Sequence, residues 1–133
     1  MYLLDTNICI YIINKHPKSV MKKVYAMNPK EIIISSVSVA ELEYGALKSR
    51  QRDQNRTALR NFLSPFEIIP FNTHDAEIYG IIRADLERRG EPIGPYDMQL
   101  ASQALTRDLV LVTNNTAEFS RIKKIKLENW INT

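Results

Sequence analysis

The chain has 133 residues, 44% of them hydrophobic and 25% charged, with only four Gly and six Pro. That length suits one domain over 1–133, and the composition excludes collagen, fibrous repeats and low-complexity disorder. A net charge of +3 excludes a polycation that would hold nucleic acid by bulk charge. Apolar runs such as Ile32–Ile34 are too short to cross a bilayer. The start, Met1-Tyr2-Leu3-Leu4-Asp5, lacks the basic and apolar regions of a signal peptide. The single Cys9 excludes an intrachain disulfide framework and a Cys-based zinc site. A reduced, cytoplasmic setting with no membrane association is expected.

Tyr2–Leu4 predicts a buried strand, because it is short, apolar and stopped by Asp5. Thr6–Asn14 has helix spacing, with Ile8, Tyr11 and Ile12 on one face, and His16-Pro17 ends it. Lys18–Met27 is a second short helix, closed by Asn28-Pro29. Glu31–Ser35 is the second strand. Ser38 and Glu41 have the S-x-x-E spacing of a capping box, which predicts a helix to about Lys48. Arg50–Leu63 is another helix, closed by Pro65. Phe66–Pro70 is the third strand, and Thr73–Arg89 a long amphipathic helix ended by Gly90. Gly94-Pro95 opens a helix to about Arg107, since Pro suits the first helical turn. Leu109–Val112 is the fourth strand, Asn114–Ser120 a loop with a helical turn, and Ile125–Trp130 a short edge strand.

Strands alternate with helices, and the central strands are continuous apolar runs. Both features predict an α/β fold with a mostly parallel sheet of four to five strands between two helical layers. In such sheets ligands bind beyond the C-terminal ends of the strands. Asp5 follows the first strand, Glu41 lies in the helix after the second, and Asp97 opens the helix leading to the fourth. Thr113, Asn114 and Asn115 follow that strand, with Glu118 one turn on.

Each of these residues also has a purely structural use. Asp5 suits a helix cap, worth about 1 kcal/mol. Asp97 suits a first helical turn, where negative charge gains roughly 0.3–1 kcal/mol. Asn114 and Asn115 suit a turn. Their conjunction points elsewhere. Converging carboxylates repel and raise at least one pKa unless a cation neutralises them. Oxygen-only donors suit Mg²⁺ or Mn²⁺, not zinc. Such an ion keeps waters, binds phosphate and acidifies water. Thr6 and Asn7 would lie beside it and orient carboxylates or water.

Four segments carry a family resemblance. They are Leu3-Leu4-Asp5-Thr6-Asn7; Ser35-Ser36-Val37-Ser38-Val39-Ala40-Glu41-Leu42 with Gly45; Gly94-Pro95-Tyr96-Asp97; and Val112-Thr113-Asn114-Asn115-Thr116-Ala117-Glu118-Phe119. In this order and spacing the chain resembles PIN-domain ribonucleases, and among them the VapC toxins of bacterial VapBC toxin–antitoxin pairs. The resemblance implies a PIN-like three-layer sandwich and a Mg²⁺- or Mn²⁺-dependent endoribonuclease. It implies Asp5, Glu41 and Asp97 as catalytic, metal-holding residues, Glu41 directly or through water. The fourth acidic position falls on Asn115 or Glu118. It also implies a homodimer, a VapB-like antitoxin that occludes the site, and RNA targets that often include tRNA.

The basic residues are clustered. Residues 48–60 hold five bases against one acid, and 61–100 hold three bases against seven acids. Arg52, Arg56 and Arg60 share a helical face that suits phosphate contact, antitoxin docking or plain solvation. Arg121, Lys123, Lys124 and Lys126 form a second cluster, closer in sequence to the proposed site and so preferred for RNA backbone contact. His16 and His74 stand alone, without a partner for metal or nucleophile chemistry. Cys9 and Trp130 are expected to be buried. Tyr96 suits ordinary packing better than base stacking.

Two other readings compete. A phospho-acceptor receiver domain would need paired acids after the first strand, where only Asp5 stands. A non-catalytic RNA- or partner-binding α/β module would use the acids as helix caps alone.

Overall fold

The computed structural model describes residues 1–131. Among the described residues there are five strands: β1 (Tyr2–Leu4), β2 (Ile32–Ser35), β3 (Glu67–Ile69), β4 (Val110–Val112) and β5 (Lys126–Glu128). Seven α-helices among the described residues connect them: α1 (Thr6–Ile13), α2 (Lys18–Tyr25), α3 (Ser36–Lys48), α4 (Arg52–Leu63), α5 (Thr73–Arg88), α6 (Pro95–Thr106) and α7 (Thr116–Phe119). One turn of 3₁₀ helix, Pro29–Glu31, leads into β2. Every strand pair is parallel, in the order β3-β2-β1-β4-β5. The elements match the sequence expectation in kind and order, with ends shifted by a residue or two.

Alternation along the strands builds two cores. Leu3, Ile33 and Leu111 point to the layer holding α5, α6 and α7, where they meet Ile82, Leu86, Leu100, Ala101 and Phe119. Leu4, Ile32, Ile34 and Val112 point the other way, against Ile8, Cys9, Ile12, Val20, Leu42 and Leu59. A strand carrying apolar residues on both faces needs cover on both, and the helices divide accordingly. Trp130 is fully buried in the second core, its ring centroid 5.7 Å from that of Tyr2. Cys9 is fully buried beside it, and burial pushes its thiol pKa far up. Among the described residues no helix is long and apolar enough to cross a membrane.

One expectation about helix entry is corrected. Ser38 and Glu41 do not form a capping box. The α3 helix starts directly where β2 ends, and Ser35 is its N-cap, with Oγ accepting from the Val37 amide at 3.0 Å. Ser38 is buried inside the helix. Glu41 is thereby released from the cap and carried past the first turn.

Strand order fixes where a ligand can sit. The chain moves from β1 to β2 to β3 in one direction, then returns through α5 and α6 to lay β4 on the other side of β1. The order therefore reverses between β1 and β4. A crevice opens at such a switch point, beyond the carboxyl ends of the two strands.

Candidate active site

Asp5 and Thr113 end the two strands that flank the switch point, and they are bonded across it. The Thr113 hydroxyl donates to Asp5 Oδ2 at 2.6 Å. The Asn7 amide donates to Asp5 Oδ1 at 2.7 Å, so Asp5 is also the N-cap of α1. Capping and site placement thus coincide: extended backbone at the strand end aims the carboxylate over the crevice, and the helix start holds it there. Thr113 Oγ1 in turn accepts from the Asn115 amide at 2.9 Å. Asp5 and Thr113 are both buried.

Glu41 reaches the same crevice from α3. The Thr6 hydroxyl lies 3.0 Å from Glu41 Oε1 and 2.9 Å from Ser38 Oγ. A carboxylate only accepts, so the Thr6 proton serves Glu41. Asp97 arrives from α6, where Gly94 is the N-cap and Pro95 the first helical residue. Its carboxyl is pushed up to about 6 by burial and by the nearby charges of Asp5, Glu118 and Glu41. Four carboxylates drawn from β1, α3, α6 and α7 therefore share one electrostatic neighbourhood.

They converge without closing. Among the described residues no group of three His, Cys, Asp or Glu side chains is close enough to cage an ion. Like charges hold apart, and Asp5 has one hydrogen bond on each oxygen. The donor set is nevertheless all oxygen, which suits hard cations such as Mg²⁺ and Mn²⁺.

The crevice deepens into a cleft of about 550 Å³. Asp5, Thr6, Asn7, Glu41, Gly94, Tyr96, Asp97 and Asn115 line its polar end. Of the two contenders for the fourth position, Asn115 lines the cleft, whereas Glu118 acts on Asp97 from beside it. Asn114 is exposed and turned toward Asn129, 3.4 Å away.

Three features escaped the sequence. The rest of the cleft lining is mostly apolar, built from Ile10, Ile13, Leu42, Ala46, Ala58 and Leu59, with Asn14 and Asn55 among them. Helical spacing puts Ile8, Tyr11 and Ile12 on the inward face of the first helix and gives Ile10 and Ile13 no role. Ser38, assigned to a cap, instead contacts Thr6. Tyr96, expected to pack, is 56% exposed at the cleft, because Gly94-Pro95 starts the helix at the rim of the sheet.

The basic cluster at 121–126 is not brought to the cleft. Lys126 pairs with Asp108 at 2.8 Å at the start of β5, the opposite end of the sheet from Asp5. Arg121 donates to the Pro92 carbonyl at 3.1 Å. Lys123 and Lys124 line a different depression, with Ile78, Ile81 and Ile82. Sequence proximity misled because α7 runs back down the sheet before β5 begins. The basic helix α4 lies nearer: its Asn55, Ala58 and Leu59 line the cleft, and Arg52 and Arg56 flank Asn55 on that helix.

Comparison with known proteins agrees with this geometry. A PIN domain family model matches residues 2–125. Over 131 residues the chain is 46% identical to Ribonuclease VapC2 of Rickettsia felis, spanning 98% of each protein. It is 40% identical over 129 residues to the tRNA(fMet)-specific endonuclease VapC of Shigella flexneri, spanning 97% of each. Its structure matches a chain in the crystal structure of VapBC2 from Rickettsia felis bound to a promoter DNA fragment. That match has a TM-score of 0.90 at 45% identity, covering 97% of this chain and 98% of the other. Similarity at this level, over nearly the whole length, makes the chain a member of the PIN-domain family, within the VapC ribonucleases.

Proposed function

We propose that the chain is a divalent-metal-dependent endoribonuclease and the toxin of a toxin–antitoxin pair, working in the cytoplasm. The observation that carries this reading is the cleft at the switch point. Asp5, Glu41 and Asp97 line it, no Lys, Arg or His among the described residues does, and the pKa of Asp97 is raised to about 6 by burial and its acidic neighbours. A set of helix caps would have no reason to converge.

Asp5 and Asp97 would hold the ion, with Glu41 joining directly or through water and Glu118 supplying the fourth charge. Mg²⁺, or Mn²⁺ in its place, supplies charge at the scissile phosphate and acidifies the attacking water. The chain's own residues set the stage. The Asn7 amide and the Thr113 hydroxyl fix both oxygens of Asp5. Thr6 fixes Glu41. Asn115 offers an amide at the cleft wall, and Asn114 stands in the same loop. One of the carboxylates accepts the proton of the attacking water. Water as nucleophile leaves the 2′-hydroxyl idle, so products carry 5′-phosphate and 3′-hydroxyl ends.

RNA is the proposed substrate and tRNA the class we favour, because a relative at 40% identity is named for tRNA(fMet). A VapB-like antitoxin is the proposed partner, since the structural relative is a VapBC complex. We also propose a homodimer, for which the exposed Ile81 of α5 offers an apolar contact. Arg121, Lys123, Lys124 and Lys126 would then touch only the distant backbone of a large folded RNA.

Induced expression with sequencing of RNA 5′ ends tests the function. Wild type should create new 5′-phosphate ends and stop growth, and Asp5→Asn should do neither while remaining folded. Full activity in that variant would refute the assignment.

A further inference from the structure

The cleft lining is of two chemical kinds. Carboxylates make up one part, while Ile10, Ile13, Leu42 and Leu59 make up much of the other, with Asn14 and Asn55 among them. Among the described residues no Lys, Arg or His lines it. An RNA strand entering the cleft meets no cation from the lining residues, so its phosphates gain nothing there from side-chain charge. Beyond what a bound ion would give the scissile phosphate, the lining offers a nucleotide neutral donors, apolar side chains and one aromatic ring, and the ring suits the base.

Tyr96 is placed for that contact. It neighbours Asp97 in the first turn of α6, after Gly94 and Pro95 have set the direction of the helix. The residue is 56% exposed. Among the described residues it makes neither a side-chain hydrogen bond nor a ring contact. A large ring left open beside a proposed catalytic carboxylate offers a flat apolar face at the distance of one residue from the chemistry. Every base has a π face, and stacking on an aromatic ring is strong and tolerant of base identity. A base inside a duplex has both faces covered, so such a ring engages only an unpaired one.

We infer that Tyr96 is the stacking platform for an unpaired nucleobase next to the scissile phosphate. The inference rests on the ribonuclease reading, and its test separates the two. The probe is a set of single-stranded oligoribonucleotides, each with 2-aminopurine at one position, bound to the intact chain. Stacking quenches the fluorophore at one position with wild type. Tyr96→Ala abolishes that quenching and weakens binding by about tenfold to a hundredfold, whereas Tyr96→Phe, which keeps the ring, restores both. An oligonucleotide abasic at the quenched position binds wild type and Tyr96→Ala equally.

Equal binding of the intact oligonucleotide by wild type and Tyr96→Ala overturns the platform. So does an undiminished alanine penalty on the abasic one, which would place Tyr96 in support of Asp97 instead. A Tyr96→Ala effect confined to antitoxin peptide, with RNA binding unchanged, also overturns it. Ring-dependent quenching without cleavage in Mg²⁺ would sustain the platform and reject the nuclease reading.

Discussion

Asp75 and Asp97 occupy the same position, the third residue, in consecutive helices α5 and α6, and neither is exposed. Burial alone would raise both. For Asp75 the effect is overcome: Arg107 donates to it at 2.8 Å and 3.2 Å, the Asn72 amide at 2.9 Å and the Thr106 hydroxyl at 2.7 Å, and its pKa falls. Asn72 accepts from the Asp75 amide in return, which completes a capping box. For Asp97 no cation among the described residues compensates; Asp5, Glu118 and Glu41 add to the burial, and its pKa rises to about 6. Position in a helix is therefore a poor guide to what an acid does. A carboxylate whose charge is answered within the chain holds the fold. One whose charge is left unanswered among other acids is waiting for something from outside the chain.

The largest test of this contrast acts on the acidic side. Asp5→Asn should lower RNA cleavage by about a hundredfold to a thousandfold, by analogy with removal of one electrostatic stabiliser, while circular dichroism and melting temperature stay near wild type. Unfolding of the variant would mean that Asp5 serves the fold as Asp75 does.

The reciprocal change acts on the partnered side. Asp75→Ala strands Arg107 and removes the cap of α5. Breaking a buried pair typically costs about 3 kcal/mol or more. Urea denaturation should show a loss of that order, with activity per folded molecule retained.

Acid sharpens the contrast further. Asp75 has a folded pKa below its unfolded value of about 3.9, so its contribution is present above that value and lost as pH falls through the folded one. Wild type should lose stability between neutral pH and pH 3 more steeply than Asp75→Asn. Parallel curves would show that the network does not hold the acid form apart.

The smallest effect has the opposite sign. Asp97 has a folded pKa above its unfolded value, so its ionisation weakens the folded chain as pH rises toward and past about 6. In chelator at neutral pH, Asp97→Asn should be more stable than wild type by roughly 1 kcal/mol, after screening is allowed for. The gain should vanish near pH 4. A destabilised variant would place Asp97 with Asp75.

The layered fold was legible in the sequence because its signals are local. Short apolar runs bounded by Pro, Asn or Asp mark strands, and Leu3 beside Leu4 already implies cover on both faces. The acids were legible because strand ends are where open α/β sheets bind ligands. Long-range contacts were not legible. Nothing in the order of residues joins Asp75 to Arg107, or Ser35 to Gln103, whose buried side chains bond at 2.5 Å between β2 and α6. The Ser38–Glu41 spacing fitted a cap, yet Ser35 took that role because no loop separates β2 from α3. The cluster at 121–126 was near the site in sequence and far from it in space, because strand direction returns the chain to the other end of the sheet.

The most direct measurement is the chemistry of the cut. Purified chain, free of antitoxin, is incubated with single-stranded RNA with and without Mg²⁺, and the product ends are identified. The unanswered acids predict cleavage only with the divalent ion, leaving 5′-phosphate and 3′-hydroxyl ends. Cleavage that persists in chelator, or that leaves 2′,3′-cyclic phosphate, would contradict the account.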